Sequence, residues 1–195
     1  MGALLPKGLY RPDSAADKIA VGSLTAAIAA ATPFMGKSAL ATTHLLSLAV
    51  PLGSQFWVSF VAGPTMMANM EKKDFSAIQS VLFPKYGLVT ASGSLLAGLS
   101  YHYMMQGPVV GGESPLQLAL ALNLAGNLAN LLFLFPRTNR LLAEMRRTEE
   151  AGDEAARKSA GKAFGITHLA SVLINMVCLA INVYGMRSVA RITSF

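Results

Sequence analysis

Charged residues are absent from four long windows of this chain: residues 38–70, 86–112, 114–136 and 163–186. Each window exceeds the roughly 20 residues that a helix needs to cross a bilayer core of about 30 Å. In lipid every backbone polar group must be paired inside its own element, so the windows predict helices, and they lack the strict alternation of barrel strands. The pattern reads as an all-α integral membrane protein, a four-transmembrane-helix bundle with spans at about 40–64, 85–106, 115–136 and 163–186. The bundle would occupy 39–187, between an N-terminal extension, 1–38, and a C-terminal tail, 188–195.

Finer patterning adds detail. Residues 19–36 are also uncharged, but they are mostly Ala, Gly, Ser and Thr. Their shallow apolarity suggests an interfacial or protein-packed helix rather than a span. Pro51 and Gly63-Pro64 punctuate the first window and predict a kink and an exit or second bend. In residues 74–83, Phe75, Ile78 and Leu82 fall on one helical face, and Ser76, Gln79 and Ser80 on the other. That predicts an interfacial helix before the second span, N-capped by Asp74 and ended by Pro84. Lys85 and Tyr86 would then sit at headgroup level. Residues 137–162 mix charges of both signs at helical spacing. They predict solvated helix running out of the third span and into the fourth, broken at Gly152.

Composition supports this picture and narrows the function. The chain is 53% hydrophobic and 13% charged, against about 25% charged in a soluble domain. Its net charge of +6 comes from basic residues lying between apolar windows, where the positive-inside effect accounts for them, so no nucleic-acid partner is expected. The loops after the first and third spans are rich in Lys and Arg, and the loop at 107–113 has none. The long charged loop is therefore expected on the matrix or cytoplasmic side, with both termini opposite. Cys178 is the single cysteine, so there is no intrachain disulfide and no multi-cysteine metal site. The N-terminus lacks the apolar core of a signal peptide, and Asp13 and Asp17 argue against a transit peptide.

Polar residues within spans are where function is sought. Three stripes stand out: His44, Ser47, Ser54 and Ser59 with Gln55 beside them; Asn123, Asn127 and Asn130; and His168, Ser171, Asn175, Cys178 and Asn182. The favoured reading is interhelical packing, helped by small pairs such as Ser94/Gly98 and Gly161/Gly165. The rival is a polar path or buried ligand site. Haem is not expected, because His44 and His168 begin antiparallel spans and should differ in depth by about 20 Å. With no phosphate loop, nucleophile elbow or buried acid pair, no enzyme and no cofactor is expected.

The residues also resemble a known family. His44, Gly53 and Gln55, followed by the step Gln79-Ser80-x-Leu82-Phe83-Pro84-x-Tyr86, look like the transmembrane-protein-205-like domain, a membrane domain of unknown function. Phe164-Gly165 with His168, Ser171 and Asn175 continues the likeness. Pro51 and Gly87 depart from the pattern, and residues 1–38 lie outside it. The resemblance implies a four-span membrane protein and no reaction. The expected function is a non-catalytic accessory subunit of a larger membrane assembly, in contact with lipid and other subunits, with the mitochondrial inner membrane favoured. The alternative is a small transport or trafficking protein in which His44, Gln55, Asn127 or His168 lines a hydrated cavity.

Overall fold

A computed structural model describes residues 15–105 and 115–192, with side chains to Arg187. The start of the N-terminal extension, the loop at 106–114 and the end of the tail lie outside the described residues. The elements are α1 (Ala15–Ala31), a short 3-10 turn (Thr32–Phe34), α2 (Lys37–Phe56), α3 (Gly63–Asn69), α4 (Lys72–Met104), α5 (Pro115–Ala129), α6 (Phe135–Glu150) and α7 (Glu154–Ile192). Wide helical turns at Trp57–Ala62 and Asn130–Leu134 join α2 to α3 and α5 to α6, so each pair forms one rod.

The wide turns have a common cause. Gly63 donates its N–H to the carbonyl of Val58, and Phe135 donates to Asn130, each five residues back instead of four. Each donor is followed by a proline, Pro64 or Pro136. A proline has no N–H to give, and its ring would strike the carbonyl four residues back. Opening the preceding turn makes room for the ring while the helix continues. The exit or bend expected at Gly63-Pro64 is thus a widening, and the rod continues to Asn69.

The helices pack in a closed up-down-up-down order. α2 lies against α4 and α7, and α5 also lies against α4 and α7, while α1 rests on the outside of α4. Lys37–Asn69, Pro115–Glu150 and Glu154–Arg187 are long and apolar enough to cross a membrane. Leu46, Trp57, Phe133 and Leu173 are among the large apolar side chains left exposed on these rods. In a protein whose solvent is lipid, that outward apolarity is expected. The chain is an all-α membrane protein with several long apolar helices.

α4 is less apolar because its neighbours cover it. Gln79, Thr90, Ser94 and Ser100 are all buried along its length. Four sequence expectations are corrected here. There is no separate interfacial helix before the second span, since α4 runs unbroken from Lys72 through Pro84 to Met104. Asp74 is not the N-cap; Glu71 occupies that position and makes no side-chain cap bond, leaving Asp74 in the first turn. Pro84 is tolerated inside the helix, as Pro51 is inside α2. Tyr86 is not a headgroup anchor but is buried, 8% exposed. Lys85 bonds the carboxylate of Asp17, with both side chains about half exposed.

That ion pair ties α1 to the bundle. No residue of α1 is buried, and only Thr32 in the turn after it is sealed. A half-exposed pair contributes less than about 1 kcal/mol. Asp17→Lys should therefore loosen α1 alone, raising hydrogen exchange across Ala15–Ala31 without lowering the melting temperature. Adding Lys85→Asp should restore protection.

The break at Gly152 is present. Gly152 has a φ of +70°, a left-handed conformation that suits a residue without Cβ. Asp153 then caps α7, its carboxylate accepting the N–H of Ala156 at 2.9 Å. Arg157 clamps Glu154 at 2.8 and 3.0 Å, holding its carboxyl below the usual range. Asp153→Ala should cost about 1 kcal/mol and fray the first turn of α7, read as faster amide exchange at 154–157.

Candidate functional site

Four carboxamides from three helices close a ring at the centre of the bundle. Gln55 donates to Asn127 at 3.5 Å, and Asn127 donates to Asn123 at 3.1 Å. Asn123 donates to Asn182 at 2.7 Å, and Asn182 donates back to Gln55 at 2.8 Å. Each side-chain N–H is given in the same sense around the ring. The fourth helix joins through Ser94, whose hydroxyl accepts a second bond from Asn127 at 2.9 Å. All four carboxamides are at most 1% exposed. Each donor polarises the next acceptor, so the bonds reinforce one another. Cys178 lies beside the ring, its thiol directed at the carbonyl of Asn123 at 3.6 Å.

A second polar group lies toward the charged-loop end. The Tyr86 hydroxyl donates to Asn175, and Asn175 donates to the hydroxyl of Ser59 at 2.9 Å. These residues form the polar end of a cavity of about 220 Å³. Gln79, His168 and Ser171 also face it, and Phe75, Phe83 and Phe135 supply its aromatic walls. Phe83 stacks on Phe135 at 5.3 Å, and Phe164 stacks on His168 at 5.6 Å. Both wide turns border this space, through Val58 and Ser59 on one rod and Phe135 after the other. Widened helical turns recur at functional sites because they move side chains and free backbone from the regular ladder.

The sequence-selected residues therefore divide. Gln55 and Asn127 belong to the sealed ring. Gln79, Phe83, Tyr86, His168, Ser171 and Asn175 meet at the cavity. His44 lies apart: its Nδ1 is 2.9 Å from the carbonyl of Ala97, and its ring is 5.7 Å from that of Tyr101. Its Nε2 is buried without a hydrogen-bond partner. His168 packs on Phe83, which lies on α4 about 20 Å from Ala97 at the helical rise, so the two histidines sit at opposite depths. Gly53 is exposed and meets nothing, and Pro84 lies inside α4 away from the cavity lining.

Two corrections concern faces. Helical periodicity puts Gln79 on the face opposite Phe75, yet it is 9% exposed and shares the cavity with Phe75. Gly98 and Gly165, from the small pairs expected to bring helices together, are not close contacts, whereas a Cβ built at Gly161 meets Met145 at 3.7 Å. Nothing lies within 4 Å of a Cβ built at Gly98 or Gly165. The tight approaches are instead at Gly87, Gly93, Gly126 and Gly185. The departures Pro51 and Gly87 were the available signals: Pro51 packs into Gly93, and Gly87 lies under Phe135.

A family model described as a domain of unknown function, DUF4149, matches residues 46–147 of the 195. That range holds Gln55, Gln79, Phe83, Tyr86 and Asn127, and leaves out His44, His168, Ser171 and Asn175. Transmembrane protein 205 of Danio rerio is 35% identical over 54 residues, which cover 28% of this chain and 29% of that protein. The likeness thus spans less than a third of that relative. No solved structure matches. The matched range runs from α2 through the carboxamide ring and one wall of the cavity into α6, and on that match the chain belongs to the DUF4149 family.

Proposed function

We propose that this protein is a non-catalytic, structural or accessory subunit of a larger membrane assembly, anchored by four spans. The observation that carries the reading is α1. It is 17 residues long, buries none of them, and presents Ile19 and Leu24 at 65% and 63% exposure. Its face is otherwise rich in Ala, Gly and Ser, which let a neighbouring helix approach closely. A helix so weakly held by its own chain is suited to packing against another subunit. The fourth span in this reading is α4. Its 33 residues reach about 50 Å, and its polar groups turn toward protein rather than lipid. The charged segment 137–162 faces the matrix or cytoplasm, and the mitochondrial inner membrane is the favoured location.

The carboxamide ring supports the non-catalytic part. Its carboxamides bond one another and are sealed from the surroundings, which suits a structural role. The transport or trafficking alternative draws support only from His168, which faces the cavity; Gln55 and Asn127 are sealed in the ring, and His44 lies beyond it. Gentle detergent extraction, with crosslinkers placed on α1, tests the reading. Discrete partner subunits crosslinked through α1 are expected. A stable monomer with α1 sensitive to protease would overturn it.

A further inference from the structure

We infer that the cavity between α3, α4 and α7 binds an uncharged, lipid-soluble molecule whose polar end carries carbonyl or hydroxyl oxygens. This inference does not depend on the accessory-subunit reading.

Three observations define the ligand. The first is an unpaired polar group. Gln79 is 9% exposed, faces the cavity and has no hydrogen-bond partner among the described residues. Its amide opens onto the cavity, so a ligand oxygen there can accept from it and supply the partner that a polar group removed from water needs. The Ser171 hydroxyl, on a residue 6% exposed, offers a second free donor across the space.

The second is charge. No Asp, Glu, Lys or Arg side chain lines the cavity, and His168, its one imidazole, is in ring contact with Phe83 and Phe164. An anionic headgroup would be desolvated there without a counter-charge, which is costly. The ligand is therefore neutral. Its walls include the flat faces of Phe83 and Phe135. An apolar cavity of about 150 Å³ already admits a benzene ring, so about 220 Å³ accepts one substituted ring or a compact headgroup.

The third is the route in. The α2–α7 seam is closed from Leu48 against Gly185, through Gln55 with Asn182, to Ser59 with Asn175. Beyond Ser59 the wide turn lets α3 diverge from α7, and the cavity occupies the gap. Its rim carries Met67 and Val172, 68% and 38% exposed. An apolar rim on an outward-facing apolar surface admits molecules from the bilayer, not from water.

Thermal unfolding of the detergent-purified full chain tests this. The probes are decylubiquinone, cholesterol and dioleoylglycerol, with phosphatidylglycerol as the charged comparison. At least one neutral probe should raise the melting temperature by roughly 5 °C or more near saturation, and the effective one names the source of the oxygens. Gln79→Leu and Ser171→Ala should each remove most of that rise. Without probe, Gln79→Leu should melt no lower than the parent, since its amide has no protein partner to lose. The inference is overturned if no neutral probe shifts the transition, if phosphatidylglycerol shifts it equally, or if both variants keep the full shift.

Discussion

Gly93→Ala is expected to destabilise the bundle by about 2 kcal/mol or more, although in an ordinary helix the same change stabilises by about 1 kcal/mol. The reason is the contact with α2. A Cβ at Gly93 would lie 2.3 Å from Cγ and 2.9 Å from Cδ of Pro51, and 2.9 Å from the carbonyl oxygen of Ser47. A proline ring and a main-chain carbonyl cannot step aside as a flexible side chain can. The geometry also explains why Pro51 is accepted inside α2. Its missing N–H leaves the Ser47 carbonyl without its usual partner, and Gly93 lets α4 come close enough to cover that carbonyl. Gly98→Ala on the same helix is the control. Nothing lies within 4 Å of that position, so it should be neutral or stabilising. Pro51→Ala in the Gly93→Ala background should recover part of the loss by removing the ring. Reversible unfolding in mixed detergent micelles reads all three. Equal effects at Gly93 and Gly98 would count against this account.

Asn182→Leu is the second large effect. It leaves the Asn123 amide and the Gln55 carbonyl unpaired at a site from which water and lipid are both excluded. Interhelical hydrogen bonds in membranes are worth about 0.6–2 kcal/mol each, so losing two should cost about 1–4 kcal/mol. The ring predicts more than a sum. With the cycle already open, Gln55→Leu should add less than it costs alone, because its acceptor has no donor left to lose. A coupling of about 0.5 kcal/mol or more in the double-mutant cycle of Gln55 and Asn182 is the expected result. Additive costs would show that the four carboxamides act as separate pairs.

Local rules carried much of this structure. Three of the four charge-free windows fall on the long apolar helices, because a lipid solvent leaves so few options for an unpaired backbone. The break at Gly152 followed from a single residue type. The three polar stripes were visible because helical periodicity groups residues on one face whatever they touch.

What each face touches was settled only by packing. The stripes could not reveal that Gln55, Asn123, Asn127 and Asn182 form one cycle, since a stripe gives direction but not depth relative to other helices. The amphipathicity of segment 74–83 predicts a surface helix only where its polar face meets water. With α7 and the α2–α3 rod beside it, Gln79 turns inward with Phe75, and the helix continues through Pro84 into the span. The close glycines escaped small-residue counting for the same reason: spacing shows where a backbone could approach, but only a partner such as Pro51 or Phe135 shows where it does. The sequence by itself determined that this chain is a helical membrane protein with polar faces turned to its interior. The tertiary structure decided that those faces divide into a sealed ring and an open cavity, because the widening at Trp57–Ala62 lets α3 part from α7 at one end while carboxamides hold the helices together in the middle.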